Sequence, residues 1–530
     1  ASRTGPYRAS SDRRSMVILR RTLRCASVGA LALAATTVPA HAQRHTDAAI
    51  ARDLDLAIRK GMKDWGVPGL SVAVVRRDSV LLLKGYGVLQ VGDPAPVDQN
   101  TLFGMMSTTK AMTAMAIAML VDDGRLGWDD PVTRWVPEFA MPDAWVTENL
   151  RVIDLLTHNT GLGNADLLWS RHDLDAPEIY RRLRLLRPAY PLRGGFVYQN
   201  IMYGLAGEIV ARASGLSYGE FLRRRLLGPL GMTRTYPSLA AMEAAEDGNR
   251  SRAHYRIRDT VRVIDDESVD VLASAGGVWS TAADMASWLR FLLDSARVGG
   301  TRLVSDSNFR RLFQPQSFVG PDEYYASARL TQPRWTTYGL GWFQQDYRGH
   351  YIAFHTGSLD GRTAIIGLVP EERAGIYVFG NLDHAELRHA LMFRAFDLFL
   401  GGPPRDWNGE FLRLYGGIRA RADSARALEL RSRIQGTRPS HPLADYAGRY
   451  DHPVWGDVVV ERLGAGLMFH MGTNPQLRGP LRHWHYDTFR AELGDGRDAP
   501  TMVQFGLSLD GRVTSLQLGG IEGAFERVMQ

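Results

Sequence analysis

The chain has almost no cysteine and very little lysine. Cys25 is the one cysteine in 530 residues. It falls in an N-terminal leader, so the rest of the chain has no disulfide framework, thiol nucleophile or cysteine-based metal site. Only four of the 63 basic residues are lysines: Lys60, Lys63, Lys84 and Lys110. Arginine does not surrender its proton in a protein, whereas a desolvated lysine does, so each retained lysine is a candidate base. No apolar run of membrane-spanning length follows residue 43, which argues against a helical span. The 14 histidines form no His-Glu-x-x-His pattern, and neither a metal nor another cofactor is expected. The body of the chain also lacks excess charge. The net charge of +6 arises within residues 1–42, which hold seven basic residues and one acidic one, while the remainder carries 56 of each sign. That balance leaves no bulk electrostatic case for a nucleic-acid partner.

Residues 1–42 read as a leader and signal peptide. Met16 opens a basic stretch, residues 26–38 are small and apolar, and Ala40-His41-Ala42 has the pattern of a signal-cleavage site. Residues 1–15 precede Met16 and need not be native. An exported protein, periplasmic or secreted, is expected. Composition then divides the body into residues 43–402, a helical linker at 403–441, and a β-rich tail at 442–530.

The stretch Phe103-Gly-Met-Met-Ser107-Thr-Thr-Lys110 runs into residues 111–121, which are nearly all apolar. A helix with no polar stripe is buried on all sides, and Ser107 and Lys110, three apart, share a face of its first turn. A serine hydroxyl needs a base to become a nucleophile, and a lysine serves only when its pKa is depressed. The helix N-terminus favours an oxyanion. Ser-x-x-Lys alone is too short to identify chemistry, so partners are needed. Tyr198 and Asn200 stand at the entrance of a second helix marked by Ile201, Leu205, Ile209 and Val210. A phenol can pass protons, and an amide can donate to a carbonyl. His355-Thr356-Gly357-Ser358 reads as a segment between strands whose glycine admits a close backbone and whose amides can face an oxyanion. His158 reads as a structural histidine holding a turn. Ser217, in Gly215-Leu-Ser217-Tyr-Gly219, matches a nucleophile elbow in letters only. A helix precedes it where the elbow needs a strand, and Ser217 with Glu220 reads as a helix cap.

Helical periodicity over 46–65, 285–293 and 384–400 brackets strand patterns at 70–75, 80–86, 338–343, 351–354, 363–369 and 375–379. The implied class is α+β: an antiparallel sheet flanked by helices, plus an all-helical subdomain. Residues 405–433 read as helix. Short strands at 457–461, 466–471, 501–509 and 513–518 make the tail a small all-β, barrel-like domain.

Three elements in order, Ser107-x-x-Lys110, Tyr198-x-Asn200 and His355-Thr356-Gly357, resemble the penicillin-recognising serine hydrolases. The likeness is to the class C β-lactamase-like branch that includes D-aminopeptidases, D-Ala-D-Ala carboxypeptidases and family VIII carboxylesterases. It covers about residues 46–400. The tail, with Tyr446-Ala-Gly-Arg-Tyr450 and His483-Trp-His-Tyr-Asp487, resembles a lipocalin-like domain of unknown function. The resemblance implies a β-lactamase/transpeptidase-like fold in which Ser107 forms an acyl-enzyme and Lys110 and Tyr198 share acid and base duty in an order left open. It also implies that Asn200 positions substrate together with His355, Thr356 and Gly357, and that the amides of Ser107 and Ser358 form the oxyanion hole. Penicillin-binding members commonly carry lysine where this chain has His355, and a neutral imidazole is a weaker carboxylate anchor. Cleavage of small esters or peptide-type amides is therefore expected ahead of β-lactam turnover. A β-lactamase or penicillin-binding carboxypeptidase is the first alternative, and a non-catalytic binding protein the second.

Overall fold

A computed structural model describes residues 45–257 and 259–529. The leader expectation, including Cys25, lies outside the described residues. Eight strands form the main sheet: β1 (Gly69–Arg76), β2 (Ser79–Gly87), β3 (Ser317–Phe318), β4 (Thr336–Tyr338), β5 (Phe343–Tyr347), β6 (His350–Leu359), β7 (Arg362–Val369) and β8 (Ala374–Gly380). Their order is β2-β1-β8-β7-β6-β5-β4-β3, and every neighbouring pair is antiparallel.

Antiparallel sheets often leave one face to solvent, but here both are covered. All eight residues of β1 are buried. Ala73 and Val75 point into one core, and Leu70, Val72 and Val74 into the other. This explains why successive residues 72–75 are all apolar rather than alternating. Helices α1 (Asp47–Trp65) and α5 (Leu387–Leu400) supply the second core. The first core belongs to α2 (Lys110–Asp122), α3 (Asn200–Ser214) and α4 (Ala282–Leu293). The expected all-round burial of α2 is observed, because residues 110–120 are buried on every side. Ser217 caps the next short helix, its hydroxyl accepting from the Glu220 amide at 3.2 Å.

Two sequence expectations are corrected. The strand expected at 338–343 is instead the turn joining β4 to β5, with Gly341 at φ +85° against the backbone of Ala111. His355-Thr356-Gly357 is not a connection between strands but lies inside β6, where Gly357 pairs with Ala364 of β7.

Helix α6 (Trp407–Arg431) leads to eight further strands that close into a barrel, the first Gly448–His452 and the last Phe525–Arg527. Alternate residues point inward, and Tyr446, Tyr450, Phe469, Phe489, Phe505 and Phe525 fill the interior with a continuous apolar core. Among the described residues no helix is long and apolar enough to cross a membrane.

Candidate active site

The chain enters the site through Met106, a non-glycine residue with φ +46°, a conformation that costs on the order of 1–3 kcal/mol. A one-turn 3₁₀ segment, Met106–Thr109, follows, and Lys110 begins α2. Ser107 therefore stands on the turn before the helix, half-buried at its positive end, rather than within the helix. Gly357 of β6 packs on this turn so closely that an added Cβ would lie 2.4 Å from the Met105 carbonyl and 3.1 Å from the Ser107 amide nitrogen. The glycine is required by that approach, not by a turn, since its own backbone is ordinary strand.

Lys110 is fully buried. Its Nζ donates to Ser107 Oγ at 3.0 Å, to Asn200 Oδ1 at 2.7 Å and to the Ala275 carbonyl at 2.9 Å, and it lies 4.8 Å from the centre of the Tyr198 ring. Burial pulls its pKa down to about 7, partly opposed by the negative charge of Asp166. Burial moves the Tyr198 phenol the other way, well above its ordinary value, with Ser107 drawing it partly back. The Tyr198 hydroxyl is buried and has no hydrogen bond of normal geometry, so Ser107 is a near but not yet bonded neighbour. Asn200 opens α3, and its two ends are oriented: Oδ1 accepts from Lys110, and Nδ2 donates to Asp166 Oδ2 at 2.9 Å.

The structure thus brings Ser107, Lys110, Tyr198, Asn200 and the β6 residues Gly357 and Ser358 together. The side chains of His355 and Thr356, expected as substrate contacts, are buried and engage protein partners. His355 is 1% exposed. Its Nδ1 bonds the Thr356 carbonyl at 2.7 Å, and its Nε2 accepts from the Tyr338 hydroxyl at 3.0 Å. Burial and the Lys110 charge push its pKa down to about 3, so the ring is neutral. Within β6 the His355 side chain shares the face that carries Gly357, and Thr356 the face that carries Ser358, because neighbouring residues of a strand face opposite ways. The Thr356 hydroxyl is occupied by the Tyr325 hydroxyl at 2.7 Å. His158 is structural: its Nδ1 accepts from the Gln199 amide at 3.0 Å, and its ring packs 4.2 Å from that of Tyr198.

Two residues of the site were not visible as motifs. Asp166 accepts from Asn200, and also from Trp169 Nε1 at 2.9 Å, so it holds one wall in place. Arg388 of α5 is buried behind β6, where it donates to the Gly357 carbonyl and to Ser358 Oγ at 2.8 Å. Glu386 pairs with its guanidinium at 3.0 Å. Both act through contacts distant in sequence, and neither lies in a short pattern.

A cleft opens over Ser107. Asn200, Ser358, Trp169, Leu272 and Leu359 are among its walls. The site can therefore offer a nucleophile, a base neutral near pH 7, an oriented amide and backbone donors to an uncharged carbonyl. Among the described residues no group of three or more His, Cys, Asp or Glu is placed to hold a metal ion.

Comparison with known proteins fits this arrangement. A family model described as Beta-lactamase matches residues 54–398, and one described as a domain of unknown function (DUF3471) matches residues 432–527. The unguisins hydrolase ungD′ of Aspergillus campestris is 26% identical over 427 residues, which span 77% of each chain. Protein flp of Staphylococcus aureus is 24% identical over 337 residues, 63% of each. The octameric penicillin-binding protein homologue from Pyrococcus abyssi superposes with a TM-score of 0.59 at 22% identity, over 89% of this chain and 99% of that one. A class C β-lactamase from Rhodobacter sphaeroides gives 0.52 at 22% identity, over 65% and 98%. The fold is β-lactamase/transpeptidase-like, followed by an eight-stranded closed barrel.

Proposed function

The chain belongs to the beta-lactamase family, and from that premise we propose that it is a serine hydrolase forming an acyl-enzyme at Ser107 and cleaving small esters or peptide-type amides. The observation that carries this reading is the 3.0 Å contact between Ser107 Oγ and a buried Lys110 whose pKa is drawn to about 7. Neutral Lys110 takes the Ser107 proton as Oγ adds to the substrate carbonyl carbon. The amides of Ser107 and Ser358 receive the oxyanion, a contribution of about 3 kcal/mol per donor. The proton then passes to the leaving group, with the Tyr198 phenol, kept protonated by burial, as the relay beside it. Water adds to the acyl carbon, and Ser107 departs with its proton restored. In this scheme Lys110 is the base and Tyr198 the acid, since one is neutral near pH 7 and the other resists ionisation. Asn200, oriented by Asp166, positions the substrate carbonyl or amide.

The occupied, neutral His355 supports a substrate without an essential carboxylate. The proposal is tested by ranking kcat/KM for short-chain p-nitrophenyl esters and D-aminoacyl p-nitroanilides against nitrocefin. Esters or amides are expected to lead by at least tenfold. Faster nitrocefin turnover, or stable acylation by penicillin, would assign a β-lactam-recognising enzyme instead. No turnover and no labelling at Ser107 would assign a binding protein.

A further inference from the structure

We propose that the C-terminal barrel clasps both rims of the Ser107 cleft through Arg171 and Arg497, and so sets the cleft width and with it the acyl-group selectivity. The inference rests on the hydrolase reading above.

One rim is the segment from Asp166 to Asp173. It carries Asp166, which orients Asn200, and Trp169, which lines the cleft. Two residues on, Arg171 is 1% exposed and reaches into the barrel. Its Nη1 donates to the Trp455 and Asp457 carbonyls and its Nη2 to Asp457 Oδ1 at 3.0 Å, while Asp173 pairs with the same guanidinium at 2.9 Å. The barrel answers with its own backbone: the amides of Thr473 and Asn474 donate to the Arg171 carbonyl at 3.0 and 3.1 Å. Two barrel glycines with positive φ make this approach possible. A Cβ on Gly456 would lie 2.8 Å from Arg171 Nη1, and one on Gly472 would lie 2.7 Å from the Arg171 carbonyl oxygen.

The other rim is the end of β6, Ser358 and Leu359, with the turn Asp360-Gly361 that joins it to β7. Ser358 and Leu359 line the cleft. The next residue, Asp360, accepts from Arg497 Nη1 at 2.8 Å, and Arg497 comes from the barrel. The Arg497 side chain is only 6% exposed and is held from behind by Asp495 at 2.7 Å. One small domain thus grips two walls of the same cleft that are far apart in sequence. A barrel whose interior is filled by its own aromatic residues holds no ligand there, and its role lies in these outer contacts.

The test uses the full chain and a series of p-nitrophenyl esters from acetate to octanoate, after labelling of Ser107 by a fluorophosphonate has been measured on the parent. Arg497→Gln releases the rim from Ser358 to Gly361. The octanoate-to-acetate ratio of kcat/KM is expected to rise at least fivefold, through a lower KM for octanoate, and Arg497→Lys is expected to restore the parent ratio to within twofold. Gly472→Ala, which wedges the opposite rim, is expected to shift the same ratio by at least threefold. A ratio unchanged within twofold in both Arg497→Gln and Gly472→Ala overturns the clasp. So does an equal loss on every ester in both variants, because that signals general destabilisation. A parent that is not labelled at Ser107 overturns the hydrolase reading first, and the clasp with it.

Discussion

A lysine that shares its buried cradle with Ser107, Asn200 and the Ala275 carbonyl loses the hydration that stabilises its ammonium form. The pKa of about 7 has two consequences. Because the neutral amine is the active form, kcat/KM is expected to fall tenfold per pH unit below about pH 7, and a pH–rate profile measures it. Asp166 raises the Lys110 pKa, so Asp166→Asn is expected to move that acid limb to lower pH while reducing kcat through the loss of a fixed Asn200. The second consequence concerns stability. The folded pKa lies below the ordinary value of 10.5, so between about pH 7 and 10 the unfolded chain holds a proton that the folded chain has released. Stability therefore rises with pH in that window, by about 1.4 kcal/mol per unit, and levels off below pH 7. Lys110→Met removes this slope, and denaturant melts at pH 7, 8 and 9 would reveal the difference. Ser107, Lys110, Tyr198 and Asn200 were legible in the sequence because their spacing is local to two helix entrances. Asp166 and Arg388 were not, since each acts across the fold on a residue to which no short pattern ties it.

Element packing decides what His355-Thr356-Gly357 does. Read as a string, the three residues suggest a substrate-contacting connection. Placed within β6, His355 and Gly357 share one face and Thr356 takes the other: His355 turns into the layer with Tyr338 and His158, and Gly357 lies bare against the nucleophile turn. The sequence pattern located the strand region, but strand alternation and the depth of packing were set by β7 and α5, which lie later in the chain. Gly357→Ala is expected to separate β6 from the Ser107 turn and lower kcat at least 100-fold, because the displaced strand carries Ser358, one of the two proposed oxyanion donors, a loss of about 3 kcal/mol or more. Steady-state kinetics with intact circular dichroism would check it. An antiparallel sheet with flanking helices was legible from the succession of elements, but the order of its strands was not. The turn at residues 339–342 was not, because Trp342 and Leu340 look like strand residues and are buried as core on either side of Gly341.

At the scale of the whole molecule, the barrel was foreseeable as β structure but not its attachment, since Arg171 and Arg497 are two arginines in a chain that uses arginine throughout. Arg171→Met would leave Asp173, Asp457 and two carbonyls without their shared donor at the seam. The expected cost is about 3 kcal/mol, visible in calorimetry as a single transition splitting into two as the barrel melts apart from the hydrolase fold. The account as a whole rests on covalent chemistry at one serine, and intact-mass spectrometry of the full chain quenched during turnover of a short acyl ester tests that most directly. One acyl adduct is expected, mapped to Ser107 by peptide analysis, decaying as product appears, and absent in Ser107→Ala. Turnover retained by Ser107→Ala, or an adduct mapped to any other residue, would contradict it.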